Sequence, residues 1–256
     1  VLISDQLSER ALDIFKSRGL EVDFRPGMSA AEQIAIIANY DGLAIRSATK
    51  VTADMIAAAS NLKVIGRAGI GVDNVDVAAA TARGIVVMNT PYGNTITTAE
   101  HAIAMLFATA RQIPAADAST QAGKWEKSRF MGVELTGKTL GLIGCGNIGS
   151  IVAERALGLR MRVLAFDPFL SENRARDLGI EKGELDQVLS RSDFITLHTP
   201  MTDQTRGMIN KASLAKCKPG VRIVNCARCG LVVEEDLAEA LKSGHVAGAA
   251  FDVFTV

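Results

Sequence analysis

One stretch of sequence, TLGLIGCGNIG at residues 139–149, decides the fold. It places the pattern G-x-G-x-x-G between an apolar run and a segment of helical periodicity, which is the context in which this pattern binds a dinucleotide. In that context Gly144 permits a tight turn, Gly146 lets the backbone approach a pyrophosphate, and Gly149 lets helix and strand pack closely. The start of the following helix, with Asn147 and Ile148, offers unbonded N–H groups to phosphate. The stretch therefore predicts a dinucleotide-binding loop.

A carboxylate completes this fingerprint. Eighteen residues after Gly149, the next apolar run ends in Phe166 and Asp167. A carboxylate at this point can accept hydrogen bonds from both ribose hydroxyls and would repel a 2′-phosphate, so the pattern favours NAD over NADP. The alternative is a glycine turn in an α/β protein that binds no ligand, which the sequence context makes the weaker interpretation.

Short apolar runs alternate with helical patterns along nearly the whole chain. This alternation predicts an α/β fold made of parallel sheets with helices on both faces. The candidate strands are residues 1–4, 43–46, 63–66, 85–88, 139–143, 162–166, 194–197, 222–225 and 247–252, and the helical patterns include residues 9–17, 30–38, 77–83, 148–159 and 234–242.

The candidate elements form two blocks. A first α/β block runs to about residue 95, and one long helix over residues 97–121 is predicted to follow it and to bridge to the second block. The polar segment 123–138 after that helix carries Trp125, Phe130 and Met131, which have enough apolar surface to contact a partner subunit. Ordinary packing against their own chain is an equal alternative.

Composition excludes several classes of function. Among 256 residues, 28 Lys and Arg balance 28 Asp and Glu, so no general attraction to nucleic acid or an anionic membrane is expected. No apolar run approaches the roughly 20 residues that span a bilayer, and residues 1–5 lack the charged start of a signal peptide. We therefore expect a protein that binds neither membrane nor nucleic acid, although the balance leaves a local basic patch open. The small number of cysteines makes a reduced, cytoplasmic protein the working assumption.

The cysteines do not suggest a disulfide scaffold, because the chain has only four. Cys226 and Cys229 spell C-x-x-C, which could be a redox pair or half of a zinc site. No second C-x-x-C or paired histidine follows, so we favour two reduced thiols and predict no metal.

Several motifs resemble, in order and spacing, the D-2-hydroxyacid dehydrogenase family. They are RAGIGVDNVD at 67–76, NTPYGN at 89–94, the glycine loop, LHTP at 197–200 and NCAR at 225–228. Two further segments, RSATKVT at 46–52 and GKWEKSRFMG at 123–132, resemble the members of the family that act on a phosphorylated 2-hydroxy acid. The resemblance covers essentially all of the chain.

The resemblance implies two doubly wound parallel-sheet domains. Residues 96–256 would be a Rossmann NAD-binding domain, and residues 1–95 a flavodoxin-like substrate-binding domain into which a later segment returns, with the active site in the cleft. The implied reaction is hydride transfer from C2 of 3-phosphoglycerate to NAD, which gives 3-phosphohydroxypyruvate and begins serine biosynthesis. Members of the family commonly form homodimers or homotetramers.

The family uses three catalytic side chains, of which only one falls within the sequence. Arg228 would hold the carboxylate and C2 oxygen of the substrate, a two-point grip that a planar guanidinium suits. The base is a histidine in a later Pro-His segment, and its partner is the glutamate of Asp-Val-Phe-x-x-Glu. DVFTV at 252–256 stops one residue before that glutamate, and the chain begins with Val1. We therefore expect a fragment that lacks both residues.

The remaining site residues also follow from the resemblance. The cofactor contacts would include Thr199, Cys226, Ala227 and Asp252, and the substrate contacts would be Arg46, Ser47, Gly69, Ile70, Gly71 and Asn94. Arg46 has the alternative of a surface salt bridge. His198 has a side chain suited to a base, but its neighbour Thr199 is the cofactor contact, and His101 and His245 are most simply structural or solvent-facing.

Cys229 departs from the family, which has glycine directly after the catalytic arginine. If this position needs a positive φ, cysteine would strain the loop and displace Arg228. Our hypothesis is that Cys229→Gly leaves the activity of the intact protein unchanged or improves it.

Two alternatives remain open at this stage. One keeps the chemistry with another substrate, as in a glyoxylate or hydroxypyruvate reductase. The other is a non-catalytic scaffold that binds NAD as a signal. The Cys-Ala-Arg motif and the segments at 46–52 and 123–132 favour the enzyme that acts on phosphoglycerate.

Overall fold

The structure, a computed structural model, describes residues 1–255. It separates into two compact units, Val1–Asn94 and a second that begins at Thr95. Val256, the last residue of the DVFTV motif, lies outside the described residues.

The first unit is a five-stranded parallel sheet with the strand order β2-β1-β3-β4-β5. This is the flavodoxin-like order, in which the chain reverses direction between β1 and β3. Its elements are β1 (Leu2–Ile3), α1 (Glu9–Ser17), β2 (Asp23–Phe24), α2 (Ala30–Ile36), a 3₁₀ turn (Ile37–Asn39), β3 (Gly42–Ile45), α3 (Ala53–Ala58), β4 (Val64–Arg67), α4 (Val77–Ala82) and β5 (Val86–Asn89).

Local sequence explains where these helices begin. The Ser29 side chain accepts a hydrogen bond from the Glu32 N–H while the Glu32 carboxylate accepts one from the Ser29 N–H, a capping box at the start of α2. Thr52 and Asp76 cap α3 and α4 more simply, each with a side-chain oxygen that accepts one backbone N–H of the first turn. The apolar sides of these helices and of β1, β3 and β4 form one core, which includes Leu43, Ile45 and Ile65.

The second unit is a six-stranded parallel sheet with the strand order β11-β10-β9-β6-β7-β8. This is the Rossmann order, with its reversal between β6 and β9. Its elements are α5 (Thr95–Arg111), α6 (Ile113–Gln121), β6 (Thr139–Ile143), α7 (Asn147–Gly158), β7 (Arg162–Phe166), α8 (Glu172–Leu178), β8 (Glu181–Lys182), α9 (Leu185–Arg191), β9 (Phe194–Leu197), α10 (Lys211–Ala215), β10 (Val221–Asn225), α11 (Glu234–Lys242) and β11 (Val246–Phe251).

Helices cover both faces of this second sheet, as the nearly continuous apolar strands predict. Residues of α5 and α7 form one core with Leu140 and Leu142 of β6. Residues of α9, α10 and α11 form another with Ile143 of the same strand. Successive residues of β6 thus contribute to opposite cores, and the prediction of two doubly wound parallel-sheet domains is confirmed.

The prediction of one long helix over residues 97–121 was wrong in detail. The structure has two helices, α5 and α6, separated by Gln112, whose φ of 53° lies in the left-handed region. Pro114, at the start of α6, explains the break, because a proline inside a helix lacks an N–H donor and clashes with the carbonyl four residues earlier.

Two strands were missed, namely β2 and β8. Each is only two residues long and contains a charged residue, so no apolar run marks it. No helix among residues 1–255 combines the length and the apolar character that crossing a membrane would require.

Candidate functional site

The carboxyl ends of five strands of the second unit lie in one row. The register pairs Ile143 with both Phe166 and Leu197, and it pairs Asn225 with both Leu197 and Phe251. The next residue on each strand therefore lies at the same edge, in the order Asp252, Cys226, His198, Gly144, Asp167. Four spacings of about 4.8 Å give this row a length of roughly 19 Å. Ligands of open α/β sheets bind along such an edge, at the reversal of strand order.

The glycine loop at the centre of the row has the space that a pyrophosphate needs. Gly144 has a φ of 93°, and a Cβ atom there would lie 2.6 Å from the His198 carbonyl. A Cβ on Gly149 would collide with the Gly144 carbonyl oxygen, whereas one on Gly146 would meet nothing within 4 Å. Close packing therefore requires glycine at positions 144 and 149, whereas Gly146 faces open space.

The start of α7 supplies donors to that space. The N–H groups of the first helical turn, at Asn147, Ile148 and Gly149, have no partner inside the helix. No side chain caps them, since the N-cap residue is Gly146, and no acidic residue occupies the first turn. The donors and the positive end of the helix dipole remain available to an anion. These residues fit the pyrophosphate of NAD.

Asp167 is anchored beside the loop. One carboxylate oxygen accepts a hydrogen bond of 2.7 Å from the Cys145 N–H, and the other accepts one of 2.8 Å from the Phe169 N–H. Each oxygen retains further lone pairs, so the carboxylate can accept ribose hydroxyls without leaving its place. Desolvation, and then the negative charge of Asp167, raise the pKa of the Cys145 thiol to about 11, so this cysteine is a neutral thiol.

His198 and Thr199 follow β9, behind the glycine loop. The Nε2 atom of His198 lies 2.9 Å from the hydroxyl of Thr196, and burial lowers the pKa of the ring to about 4. The ring is therefore neutral near pH 7, and within residues 1–255 its buried Nδ1 atom has no hydrogen-bond partner. A base must gain a proton easily at the working pH, so this environment does not favour His198 in that role.

The loop after β10 presents Arg228. The buried side chain of Asn225 accepts a hydrogen bond from the Ala227 N–H (3.1 Å) and donates one to the Arg228 carbonyl (2.9 Å). The guanidinium of Arg228 donates to the Ala227 carbonyl at 2.8 Å and is only partly buried. Asn225 thus shapes the turn from which Arg228 projects.

The two cysteines of this loop have different environments. Cys226 is buried, and desolvation followed by the charge of Asp252 raises its pKa to about 12, while Cys229 is exposed. Neither forms a disulfide, and no group of three metal-ligating side chains occurs in the described part of the chain.

The strain that we considered for Cys229 is absent. Within residues 1–255, Gln112 and Arg160 are the only non-glycine residues with positive φ. The left-handed conformation falls instead on the next residue, Gly230, with a φ of 76°. Cysteine therefore fits at position 229 because the backbone there has an ordinary conformation.

Asp252 occupies the far end of the row from Asp167. Its N–H donates to the Asn225 carbonyl at 3.0 Å, which extends the pairing of β11 with β10 by one residue. Its carboxylate oxygen Oδ1 lies 3.4 Å from Nε2 of His101, on α5.

In the first unit, the predicted substrate contacts also lie at the carboxyl edge of the sheet. Arg46 and Ser47 follow β3, residues 69–71 follow β4, and Asn94 lies in the loop after β5. Arg46, Ser47 and Asn94 are exposed. Their side chains are therefore open to a ligand.

Asp5 holds the Arg46 turn in shape. Its buried carboxylate accepts hydrogen bonds from the Arg46 N–H (2.6 Å), the Thr49 N–H (3.0 Å) and the Thr49 hydroxyl (2.6 Å). Asn74 adds donors to the Arg46 and Thr49 carbonyls at 2.8 and 2.6 Å. The turn is thus fixed from two sides while the Arg46 side chain remains outside.

The loop at residues 69–71 has its carbonyls engaged, whereas the N–H groups of its last two residues are available; the Gly69 N–H donates to the Arg67 carbonyl at 3.0 Å. Asn89 donates to the Ile70 carbonyl at 2.7 Å, and Arg67 donates to the Gly71 carbonyl. In the described chain, the N–H groups of Ile70 and Gly71 donate to no other backbone group. This arrangement suits a carboxylate, which accepts hydrogen bonds only.

Sequence reasoning missed the residues that support the site. Asp5 and Asn225 contact loops rather than a predicted ligand, and both stand at or just beyond the carboxyl end of a strand. That position is a usable signal, because polar residues at this edge of a parallel sheet lie close to the ligand site. His101 was assigned a structural or solvent-facing role, and its contact with Asp252 depends on how α5 lies over the sheet.

Comparison with known proteins gives one family. The family model described as "D-isomer specific 2-hydroxyacid dehydrogenase, NAD binding domain" matches residues 103–256. D-3-phosphoglycerate dehydrogenase from Archaeoglobus fulgidus is 53% identical over 254 residues, which are 99% of this chain and 48% of that protein. The Bacillus subtilis protein of the same name is 46% identical and is also covered to 48%. The chain thus spans about half the length of these curated relatives.

Solved structures agree on the architecture. A D-lactate dehydrogenase from Aquifex aeolicus, complexed with NAD and lactic acid, has a TM-score of 0.89 and 26% identity, with 99% of this chain and 77% of that one covered. A glyoxylate reductase from Paecilomyes thermophila has a TM-score of 0.90 and 30% identity, with coverages of 99% and 80%.

Proposed function

This chain belongs to the D-isomer specific 2-hydroxyacid dehydrogenase family, and on that premise we propose that the protein oxidises 3-phosphoglycerate to 3-phosphohydroxypyruvate with NAD. The choice of substrate rests on one observation. Curated relatives that are about half identical over almost the whole chain share the name D-3-phosphoglycerate dehydrogenase. The reaction would be the first step of serine biosynthesis. The free cysteines are consistent with a cytoplasmic location.

The residues of the second unit divide the binding of NAD among them. The N–H groups at the start of α7 would hold the pyrophosphate, and Asp167 would hold the adenosine ribose. Thr199, Cys226, Ala227 and Asp252 lie toward the other half of the row, where the nicotinamide would bind. The bound nicotinamide supplies the hydride acceptor, and the task of the protein is to orient the substrate toward it.

Arg228 is the residue that we assign to substrate orientation within this chain. Its planar guanidinium can donate two parallel hydrogen bonds to the substrate carboxylate and C2 oxygen. Asn225 fixes the turn that carries it, through bonds of 2.9 and 3.1 Å, so the guanidinium starts from a defined backbone position. A substrate held at two points places its C2–H bond in a defined direction, which lowers the entropic part of the barrier.

The first unit would supply the remaining substrate contacts, in keeping with its predicted role over residues 1–95. The N–H groups of Ile70 and Gly71 suit a carboxylate, and Asn94 adds a polar side chain. Arg46 and Ser47 suit the phosphate, and the turn that carries them is fixed by the hydrogen bond from the Arg46 N–H to the Asp5 carboxylate. A phosphate at this point explains a charged residue that forms no ion pair with a carboxylate in the described chain.

We also propose that the protein forms a homodimer or homotetramer. Trp125 and Met131 are 86% and 79% exposed, so the arm that follows α6 presents a large apolar surface to solvent. Sedimentation at micromolar concentration should give at least a dimer. Monomer alone, in the intact protein, would contradict this part of the proposal.

The test of the reaction is NADH formation by the intact protein at alkaline pH, with 3-phosphoglycerate, glycolate and D-glycerate measured side by side. We expect turnover of 3-phosphoglycerate alone. Arg228→Lys, which keeps the charge but loses the two-point grip, should lower kcat/KM by about 100-fold or more. Arg176→Lys, on the exposed side of α8, is the matched control and should leave it unchanged.

The other outcomes favour different functions. Turnover of glycolate or D-glycerate in preference to 3-phosphoglycerate would indicate a reductase like the Paecilomyes relative. Measurable NAD binding without turnover of any of the three would indicate a scaffold that binds the dinucleotide as a signal.

A further inference from the structure

His101 lies opposite a carboxylate at the end of the ligand-binding row. Its Nε2 atom is 3.4 Å from Oδ1 of Asp252, and the two side chains are 43% and 54% exposed. The contact joins α5, which packs on one face of the second sheet, to the residue that follows β11.

Only one oxygen of Asp252 is used in this contact. The backbone of Asp252 is fixed by its hydrogen bond to the Asn225 carbonyl, but the carboxylate can still rotate about its own side-chain bonds. Within the described residues, Oδ2 accepts no hydrogen bond. A contact at Oδ1 therefore favours side-chain rotamers in which Oδ2 points away from His101, and it leaves Oδ2 open to a donor on a ligand.

The position of Asp252 identifies which part of a ligand it would meet. Asp167, at the other end of the row, belongs to the adenosine ribose, and the glycine loop between them belongs to the pyrophosphate. The row from Asp167 to Asp252 spans roughly 19 Å. Asp252 thus lies on the nicotinamide side, where the donors are the ribose hydroxyls and the carboxamide NH₂ group, and only the carboxamide belongs to the nicotinamide itself.

We propose that His101 is a positioning residue for the nicotinamide end of NAD, acting through Asp252. This inference rests on the proposed cofactor site. His101 does not touch the cofactor; it orders the carboxylate before the cofactor arrives, so that less side-chain entropy is lost on binding. Because the two side chains are about half exposed, the effect should be modest, about two- to fivefold in affinity.

Two ligands distinguish positioning from a general structural role. NAD and ADP-ribose share the adenosine, the pyrophosphate and both riboses, but only NAD carries the nicotinamide. Calorimetry on the unaltered chain and on His101→Leu should show NAD affinity lowered about two- to fivefold and ADP-ribose affinity changed by less than the measurement error. His101→Gln, which keeps a side-chain donor, should recover most of the loss.

The double variant closes the test. Asp252→Asn alone should lower NAD affinity in the same selective way, and His101→Leu should then have no additional effect, because the side chain on which it acts is gone. Equal weakening of both ligands, no weakening of either, or full additivity in the double variant would overturn the inference and leave the cofactor site standing. No NAD binding by the unaltered chain would overturn the cofactor site, and the inference with it.

Discussion

His198, the histidine at the end of β9, shows how a residue type can mislead when its surroundings are unknown. Imidazole is the commonest general base, and this one lies next to the glycine loop. Burial nevertheless lowers its pKa to about 4, so the folded protein resists its protonation. Its backbone packs directly against Gly144, which indicates that His198 supports the glycine loop by packing.

This shift predicts how stability depends on pH. An unfolded histidine has a pKa of about 6.5, so between pH 6.5 and 4 the unfolded chain binds more protons than the folded one, and stability falls as pH falls. At pH 5 the His198 contribution should be a loss of about 2 kcal/mol. Urea unfolding of the wild type and of His198→Gln should differ by that amount in their change between pH 7 and 5. Between pH 7 and 8 the two should show the same dependence, and a parallel loss at pH 5 would contradict the assignment.

The structure predicts that replacing Cys229 by glycine does not change the affinity for NAD. The side chain is exposed and the backbone has an ordinary φ, so Cys229→Gly should leave NAD affinity unchanged and lower stability only by the entropy of glycine in the unfolded chain, about 0.5–1 kcal/mol. Gly230→Ala is the contrasting variant, because its φ is 76° and its new Cβ atom would lie 2.5 Å from Met201. It should unfold at clearly lower urea concentration. A large loss of NAD affinity in Cys229→Gly would show that the thiol has a role.

Among single residues, those with a motif were predictable and those without one were not. Gly144, Gly146, Gly149 and Asp167 follow from a spacing with a physical reason, and the structure places them together. Asn225 and Asp5 act by hydrogen bonds to loops far along the chain, and nothing in the local sequence shows such a partner. A positive φ was considered as a condition at Cys229, and the left-handed residue is the next one, Gly230.

Elements were predictable where an apolar run or helical period was strong. The strands Thr139–Ile143, Arg162–Phe166 and Phe194–Leu197 have the predicted bounds, since each has a buried apolar interior and ends before a polar residue or a glycine. The break between α5 and α6 was missed because residues 97–121 keep a helical period through it. Pro114 was the available signal.

Gln112 stands at that break with a φ of 53°, a conformation that costs an L side chain about 1 kcal/mol. Gln112→Gly should therefore raise the free energy of unfolding by about 0.5–1 kcal/mol, since glycine adopts this conformation freely. Ala116→Gly, inside α6, should lower it by about 1 kcal/mol. Thermal unfolding followed by circular dichroism compares the two, and a destabilised Gln112→Gly would show that the Gln112 side chain contributes more than its backbone costs.

The turn between β3 and α3 depends on Asp5. Asp5→Asn replaces one acceptor oxygen by an NH₂ group that faces donors, which should lower the stability of the first unit by about 1–3 kcal/mol. Hydrogen exchange of the Thr49 amide should accelerate correspondingly. Asp13→Asn, exposed on α1, is the control and should leave the exchange rate of the Thr49 amide unchanged. An unchanged exchange rate in Asp5→Asn would show that Asp5 does not stabilise this turn.

At the scale of the whole molecule, each unit has its own sheet and its own core clusters. The sequence predicted both sheets because the strands are apolar and the crossover helices are regular. NAD at 100 times its Kd should stabilise the unit that binds it by about 2.7 kcal/mol. Hydrogen exchange should then slow in β6, β7 and β9 and in the glycine loop. If hydrogen exchange slowed only in the first unit, NAD would bind to the first sheet, and the assignment of the cofactor site to the second unit would be wrong.

The exposed edge of the first sheet affects the tendency of the chain to aggregate in solution. β5 closes the strand order, and its Val86 and Met88 are 55% and 54% exposed. An uncovered edge strand with apolar side chains is a template on which a further strand can pair, and a formal net charge of zero provides little repulsion between molecules. Concentrated stocks should therefore cloud first near neutral pH, and clouding should begin by edge-to-edge pairing of folded molecules.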